Sequence, residues 1–142
     1  MTRLVAAVTV GAFLLASPAS YSFGARCPGD ALRVTKADFP AAKRALLRYL
    51  RRTYRSPALI NGRPLKGDLL RGIRLSAKLA TSPHAAFRLV ARRECGTRIW
   101  RRTIIVAAYL PAVARQAGTD LAQLTFFVSR TPSRWLVWER VH

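Results

Sequence analysis

Carboxylates are scarce in this chain of 142 residues: six Asp and Glu stand against 25 Lys and Arg. The acids are Asp30, Asp38, Asp68, Glu94, Asp120 and Glu139, and catalysis by paired carboxylates would have to draw on these alone. Asp38 reads as a helix cap, and Asp30, Asp68 and Asp120 fall among turn residues. Glu139 alternates with apolar residues on a run of strand character, so it is the candidate acid or base; its plainer reading is an outward carboxylate facing one of many arginines. Histidine occurs only at His84, after a Ser-Pro pair, and at the terminal His142. Neither has a nucleophile in a recognisable local motif, and two cysteines with two distant histidines lack metal-ligand spacing. There is no glycine-rich phosphate loop and no cofactor fingerprint. No catalytic set, metal site or cofactor is expected.

What is abundant is positive charge, +19 in all. Such a charge attracts polyanions: nucleic acid, anionic lipid heads, or anionic wall polymer. Twenty-one of the 25 cations are Arg. With plentiful Ala and Leu, that is also the pattern GC-rich codons produce, so composition alone can make the chain basic.

The N-terminus has the layout of a secretory signal peptide: a positive Met1-Thr2-Arg3, an apolar run Leu4–Ala16, and small residues at Ser17 and Ala19 that place a cut after Ala19. The competing reading is an uncleaved anchor, since no charge occurs from Leu4 to Gly24. Arg26 precedes Cys27 where a lipid-attachment motif would need a small residue. An exported chain with two cysteines, Cys27 and Cys95, is expected to form one disulfide; two separate buried thiols are the alternative.

After an extended leader, Thr35 and Asp38 resemble a capping box ahead of a helix reaching Tyr54. Phe39, Ala42, Leu46, Tyr49, Leu50 and Thr53 form its apolar stripe, and Arg44, Arg48, Arg51 and Arg55 the opposite one. That cationic stripe is either solvated or a contact for anionic polymer or membrane. Ser56–Gly67 reads as loop, with Asn61-Gly62 able to close a small hairpin. Leu69–Leu79 alternates as a strand; a helical reading through Leu69, Ile73 and Ala77 competes, but Gly72 weakens it. Pro83–Glu94 reads as a short second helix that Gly96 stops, presenting Cys95 at its end. Three β-rich runs follow, Ile99–Leu110, Leu121–Arg130 and Arg134–Val141, the first apolar on both faces as for a central strand. In the last run Trp135, Val137, Glu139 and Val141 should share one face and Leu136 and Trp138 the other.

These elements predict an α+β fold: a long N-terminal helix packed on a curved antiparallel sheet of about four strands, with a short second helix. The division is 1–19 signal, 20–34 leader and 35–142 domain. Arg92-Arg93 and Arg101-Arg102, with Arg98 and Trp100, form the densest basic–aromatic cluster, either a stacking surface on the sheet or a strand end with solvated arginines. Trp100, Arg98 and Arg101 from it, with Trp135, Trp138 and Glu139, make up the candidate binding set. The sheet face away from the helix should be open, carrying one of the two tryptophans, and would suit a binding site or a homodimer contact.

The element order, with Leu110-Pro111, then Phe126-Phe127-Val128 and the terminal Trp135-x-x-Trp138, resembles cystatin-like and NTF2-like domains, as in secreted proteins of high-GC Gram-positive bacteria. The resemblance implies a cone between helix and sheet that binds small ligands or does acid–base chemistry in some relatives. No acid–His pair stands ready to carry that chemistry over. The expectation is an exported, non-catalytic binding or accessory module. A cationic binder of anionic cell-wall polymer or membrane surface is one alternative, and a small enzyme using Glu139 another; nucleic acid is not an expected partner.

Expression in an exporting host should yield a mature chain whose N-terminal sequence starts at Ser20. A chain that keeps Met1 and sediments with membranes would favour the anchor instead.

Overall fold

The computed structural model describes residues 27–53, 59–60 and 63–141. The signal-like segment, Tyr54, Arg55, the Asn61-Gly62 pair and His142 lie outside these residues. The fold is α+β, built on a four-stranded antiparallel sheet that does not close into a barrel.

The first helix starts where the sequence places it. A single 3-10 turn, Lys36–Asp38, leads into helix α1, Phe39–Thr53. The Asp38 carboxylate accepts the Thr35 N–H at 2.8 Å and its hydroxyl at 3.2 Å. Pro40 sits in the first turn, where a missing N–H costs nothing. Two short paired strands follow, β1 at Leu59–Ile60 and β2 at Arg63–Pro64. Strand β3, Arg74–Leu79, is shorter than expected. Asp68 accepts the Leu70 N–H, and Gly72 has φ of +74°, so residues 68–72 form turns rather than strand.

Helix α2, Arg88–Trp100, departs most from expectation. It begins five residues later than Pro83 because Ser82 and Pro83 lie in turns. Gly96 does leave helical geometry (φ 75°, ψ 171°), but the chain resumes helical turns as far as Trp100. Residues 99 and 100 are therefore helical, and strand β4 begins only at Ile104 and ends at Tyr109. The next connection holds two short helices, α3 at Pro111–Ala117 and α4 at Thr119–Ala122. Strands β5, Gln123–Arg130, and β6, Trp135–Val141, close the sheet as a hairpin. Strand order is β3-β4-β5-β6, with β4 and β5 interior.

The sheet is packed on both faces. Against α1, Leu46 and Leu50 meet Ile104, Val106, Ala108, Leu124, Phe126 and Val128, with Tyr49 edge-on to Phe126. Each such large side chain, fully buried, contributes about 1.5–3 kcal/mol. The cone expected between helix and sheet is thus filled by side chains. On the second face, Ile105, Phe127 and Trp138 pack beneath Ala91 and Ile99 of α2, Ala80 and Ala85 of the loop before it, and Ala31 of the leader. This corrects the expectation of an open face: its half nearest α2 is covered. What stays open is a groove of about 630 Å³ floored by Ser76, Ala107 and Thr125 and edged by Arg74, Tyr109 and Phe87.

A β-bulge changes the side-chain parity of β6. Phe127 pairs with Glu139 but Val128 pairs with Val137, leaving Trp138 extra. Before the bulge, Trp135 and Val137 join the α1 core and Leu136 and Trp138 the second one, as alternation requires. After it, the paired positions put Glu139 and Val141 on the side of Trp138 rather than with Trp135.

The leader is held in two ways. Cys27 and Cys95 form a disulfide across 68 residues; a loop of that length stabilises by about 4 kcal/mol in the chain-entropy model. Arginines grip its backbone as well. Arg98 donates to the Gly29 carbonyl at 2.9 Å, Arg102 to Ala31 at 2.6 Å and Arg130 to Arg33 at 3.1 Å. The Leu32 N–H in turn donates to the Arg130 carbonyl at 2.7 Å.

Under α2 runs a buried polar chain. The Thr103 hydroxyl donates to the Ile99 carbonyl at 2.7 Å. Its one hydrogen is then used, so Ser129 donates to Thr103 at 3.2 Å and accepts the Trp138 indole N–H at 3.1 Å. Ser129→Ala should therefore destabilise the fold by about 1–3 kcal/mol, since it strands a buried donor and acceptor. Denaturant unfolding with unchanged midpoint would show that this chain does not hold Trp138.

Candidate functional site

The residues singled out from the sequence do not converge. Trp100 is on α2, not on a strand; its indole N–H donates to the Ala80 carbonyl at 2.9 Å, and the Arg92 guanidinium lies over its ring at 5.7 Å. Arg98 is turned to the leader. Trp138 is buried and Trp135 half-buried against the α1 core, so neither presents an aromatic platform. Glu139 is half-buried on the edge strand and accepts the N–H of Arg140 at 3.1 Å. Neither the groove on the second face nor the two cavities described next is lined by Glu139. Arg44, Arg48 and Arg51 are exposed on α1, as a solvated stripe would be, and Arg55 lies outside the described residues. Among the described residues no three His, Cys, Asp or Glu gather as a metal site, and no helix is long and apolar enough to cross a membrane.

One residue of the expected set, Arg101, does line a cavity, and that cavity is half of a larger feature. Strand β3 is an edge of the sheet. Between its outer margin and the start of α1 opens a cavity of about 600 Å³, within the range of small-molecule sites. Phe39, Ala77 and Leu79 supply apolar walls, and Lys36, Lys78 and His84 stand at its rim with Thr81 and Ser82. Lys78 donates to the His84 carbonyl at 3.0 Å, which closes the loop after β3 over one end.

A second cavity of about 450 Å³ adjoins it, sharing Leu79 and Thr81. Its other walls are Val34 and three arginines, Arg33, Arg101 and Arg102. They arrive from different directions: Arg33 from the leader, Arg101 and Arg102 from the turn that ends α2. Two features of the fold bring them together, the continuation of α2 beyond Gly96 and the clamping of the leader. No carboxylate lines either cavity. Asp38, just before Phe39, is engaged by Arg130 at 3.3 Å and by Thr35.

No protein-family model, curated protein or solved structure matches the chain. The mouth formed by the two cavities therefore rests on its own geometry. Sequence reasoning placed Arg101 and Arg102 in one cluster but missed Phe39, Leu79, Thr81 and Arg33 as their neighbours, because those come from three other segments. The nearest local signal was the density of arginine on both sides of Cys95.

The two adjacent arginines differ in what they hold. Arg102 is part-buried and satisfies the Ala31 carbonyl, so Arg102→Ala should cost about 1–3 kcal/mol, a charged donor being removed from a backbone acceptor. Arg101 is exposed and makes no described side-chain bond, so Arg101→Ala should stay within about 0.5 kcal/mol of the parent. Paired chemical denaturation curves check both; equal losses would contradict this division of roles.

Proposed function

We propose that this chain is an exported, non-catalytic binding module whose ligand occupies the mouth between the start of α1 and the edge strand β3. The observation that carries this is the apolar wall of Phe39, Ala77 and Leu79 left accessible beside an otherwise filled core. Export is supported by the signal-like N-terminus and by the disulfide, a bond that persists in oxidising compartments. The resemblance to cystatin-like and NTF2-like domains, a long helix laid across a curved sheet, fits a ligand held beside that helix. No carboxylate lines either cavity to act with His84 as an acid–base pair.

A second reading, attachment to anionic wall polymer or membrane surface, draws on the exposed Arg44, Arg48 and Arg51, which have no carboxylate partner among the described residues. It predicts retention on an anionic polymer that weakens steeply with salt.

The mouth is tested with an uncharged apolar fluorophore such as N-phenylnaphthylamine. Saturable binding of one probe per chain is expected, and Thr81→Trp should abolish it by filling the junction of the two cavities. Thr81 is exposed, so the melting temperature should hold. Absence of saturable binding in the parent protein would defeat the proposal.

A further inference from the structure

We infer that the ligand of this mouth is an anionic amphiphile, with its apolar tail against Phe39, Ala77 and Leu79 and a phosphate head between Arg33, Arg101 and Arg102. The inference rests on the binding-module reading above and adds the chemistry of the ligand.

Three observations carry it. The cavities share Leu79 and Thr81 in their linings, so a molecule lying across those two residues would touch both. Their linings differ: one joins the apolar wall of Phe39, Ala77 and Leu79 to Lys36, Lys78 and His84, while the other brings Arg33, Arg101 and Arg102 together with Val34, Leu79 and Thr81. The cationic arm is also uncompensated. Arg33 and Arg101 make no side-chain hydrogen bond or ion pair among the described residues, and Arg102 uses one nitrogen, on the Ala31 carbonyl. Of the two carboxylates that flank Arg33 along the chain, Asp38 is paired with Arg130, and neither Asp30 nor Asp38 lines the cavity.

Three like charges brought to one cavity repel one another, and an anion removes that cost. Guanidinium presents a planar fork of donors that matches phosphate oxygens two at a time, which a lysine ammonium does not. Thr81 lines both cavities, where a head group and its ester linkage would pass. An uncharged lipid would leave the arginine arm empty, and free phosphate would leave the apolar arm empty. Only a molecule with both parts uses the whole mouth.

The test uses the full disulfide-bonded chain and three probes by titration calorimetry below micellar concentration: palmitoyl lysophosphatidic acid, monopalmitoylglycerol and inorganic phosphate. The lysophosphatidic acid is expected to bind at least tenfold more tightly than the uncharged glyceride. Arg101→Ala should narrow that ratio and Arg101→Glu should erase it, while the uncharged probe binds both variants as it binds the parent. Inorganic phosphate should bind far more weakly than the lysophosphatidic acid and compete with it. Equal affinity for the charged and uncharged lipids, or a ratio untouched by Arg101→Glu, overturns the head-group assignment and leaves the apolar mouth standing. Phosphate binding as tightly as the amphiphile overturns the amphiphile in favour of a free-phosphate site. If neither lipid binds and the uncharged fluorophore also fails, the binding-module reading falls with it.

Discussion

The second face of the sheet depends on one line of hydrogen bonds, from Trp138 through Ser129 and Thr103 to the Ile99 carbonyl. It joins β6, β5, the residue before β4 and the last turn of α2, four pieces distant in sequence. In a low-dielectric interior such a chain is worth most when every member is satisfied. Satisfying it requires α2 to continue past Gly96 so that the Ile99 carbonyl points at Thr103. The resulting extra turns place Arg101 and Arg102 beside the leader. The layer that buries Trp138 and the cluster that lines the cationic cavity are thus set by the same continuation of the helix.

Much of the architecture was legible because it is local. The Thr35–Asp38 cap, the apolar stripe of α1 and the β-rich runs Ile99–Leu110, Leu121–Arg130 and Arg134–Val141, which contain the three later strands, are patterns that physics reads one element at a time. The cysteine pair follows from count and context, and the α+β layering from amphipathic faces that need cover. Three features were not legible. Gly96 signals a helix stop, and it does break helical geometry, yet packing of Ile99 and Trp100 against the sheet outweighs that local signal. The bulge at Trp138 exists only with respect to a partner strand, so strict alternation along β6 put Glu139 on the wrong face. The mouth gathers Arg33, Phe39, Leu79, Thr81 and Arg101 from segments whose proximity is created by tertiary packing.

The excess of arginine divides into distinct roles once its surroundings are known. The two ion pairs seen among the described residues, Arg93–Glu94 and Arg130–Asp38, leave most cations without a carboxylate. Arg98, Arg102 and Arg130 serve the fold by donating to backbone carbonyls, a use that needs a long, forked donor rather than net charge. Arg74 lies over the Tyr109 ring at 4.6 Å and Arg92 over Trp100. Arg44, Arg48 and Arg51 are solvated along α1. What then stands out is the convergence of Arg33 and Arg101 on one cavity with no anion to answer them. A basic composition that codon bias alone could produce does not by itself account for that convergence.

The arginine grip on the leader has a consequence of another kind. Its acceptors, the carbonyls of Gly29, Ala31 and Arg33, are peptide oxygens, which every residue type supplies. The grip therefore follows the path of the leader's backbone and not the identity of its side chains. A thiol reductant cuts only the covalent tether at Cys27 and leaves all three in place. The segment behaves as a strand whose missing neighbour has been replaced by side chains, and these three bonds leave its own side chains free to vary where the backbone is held.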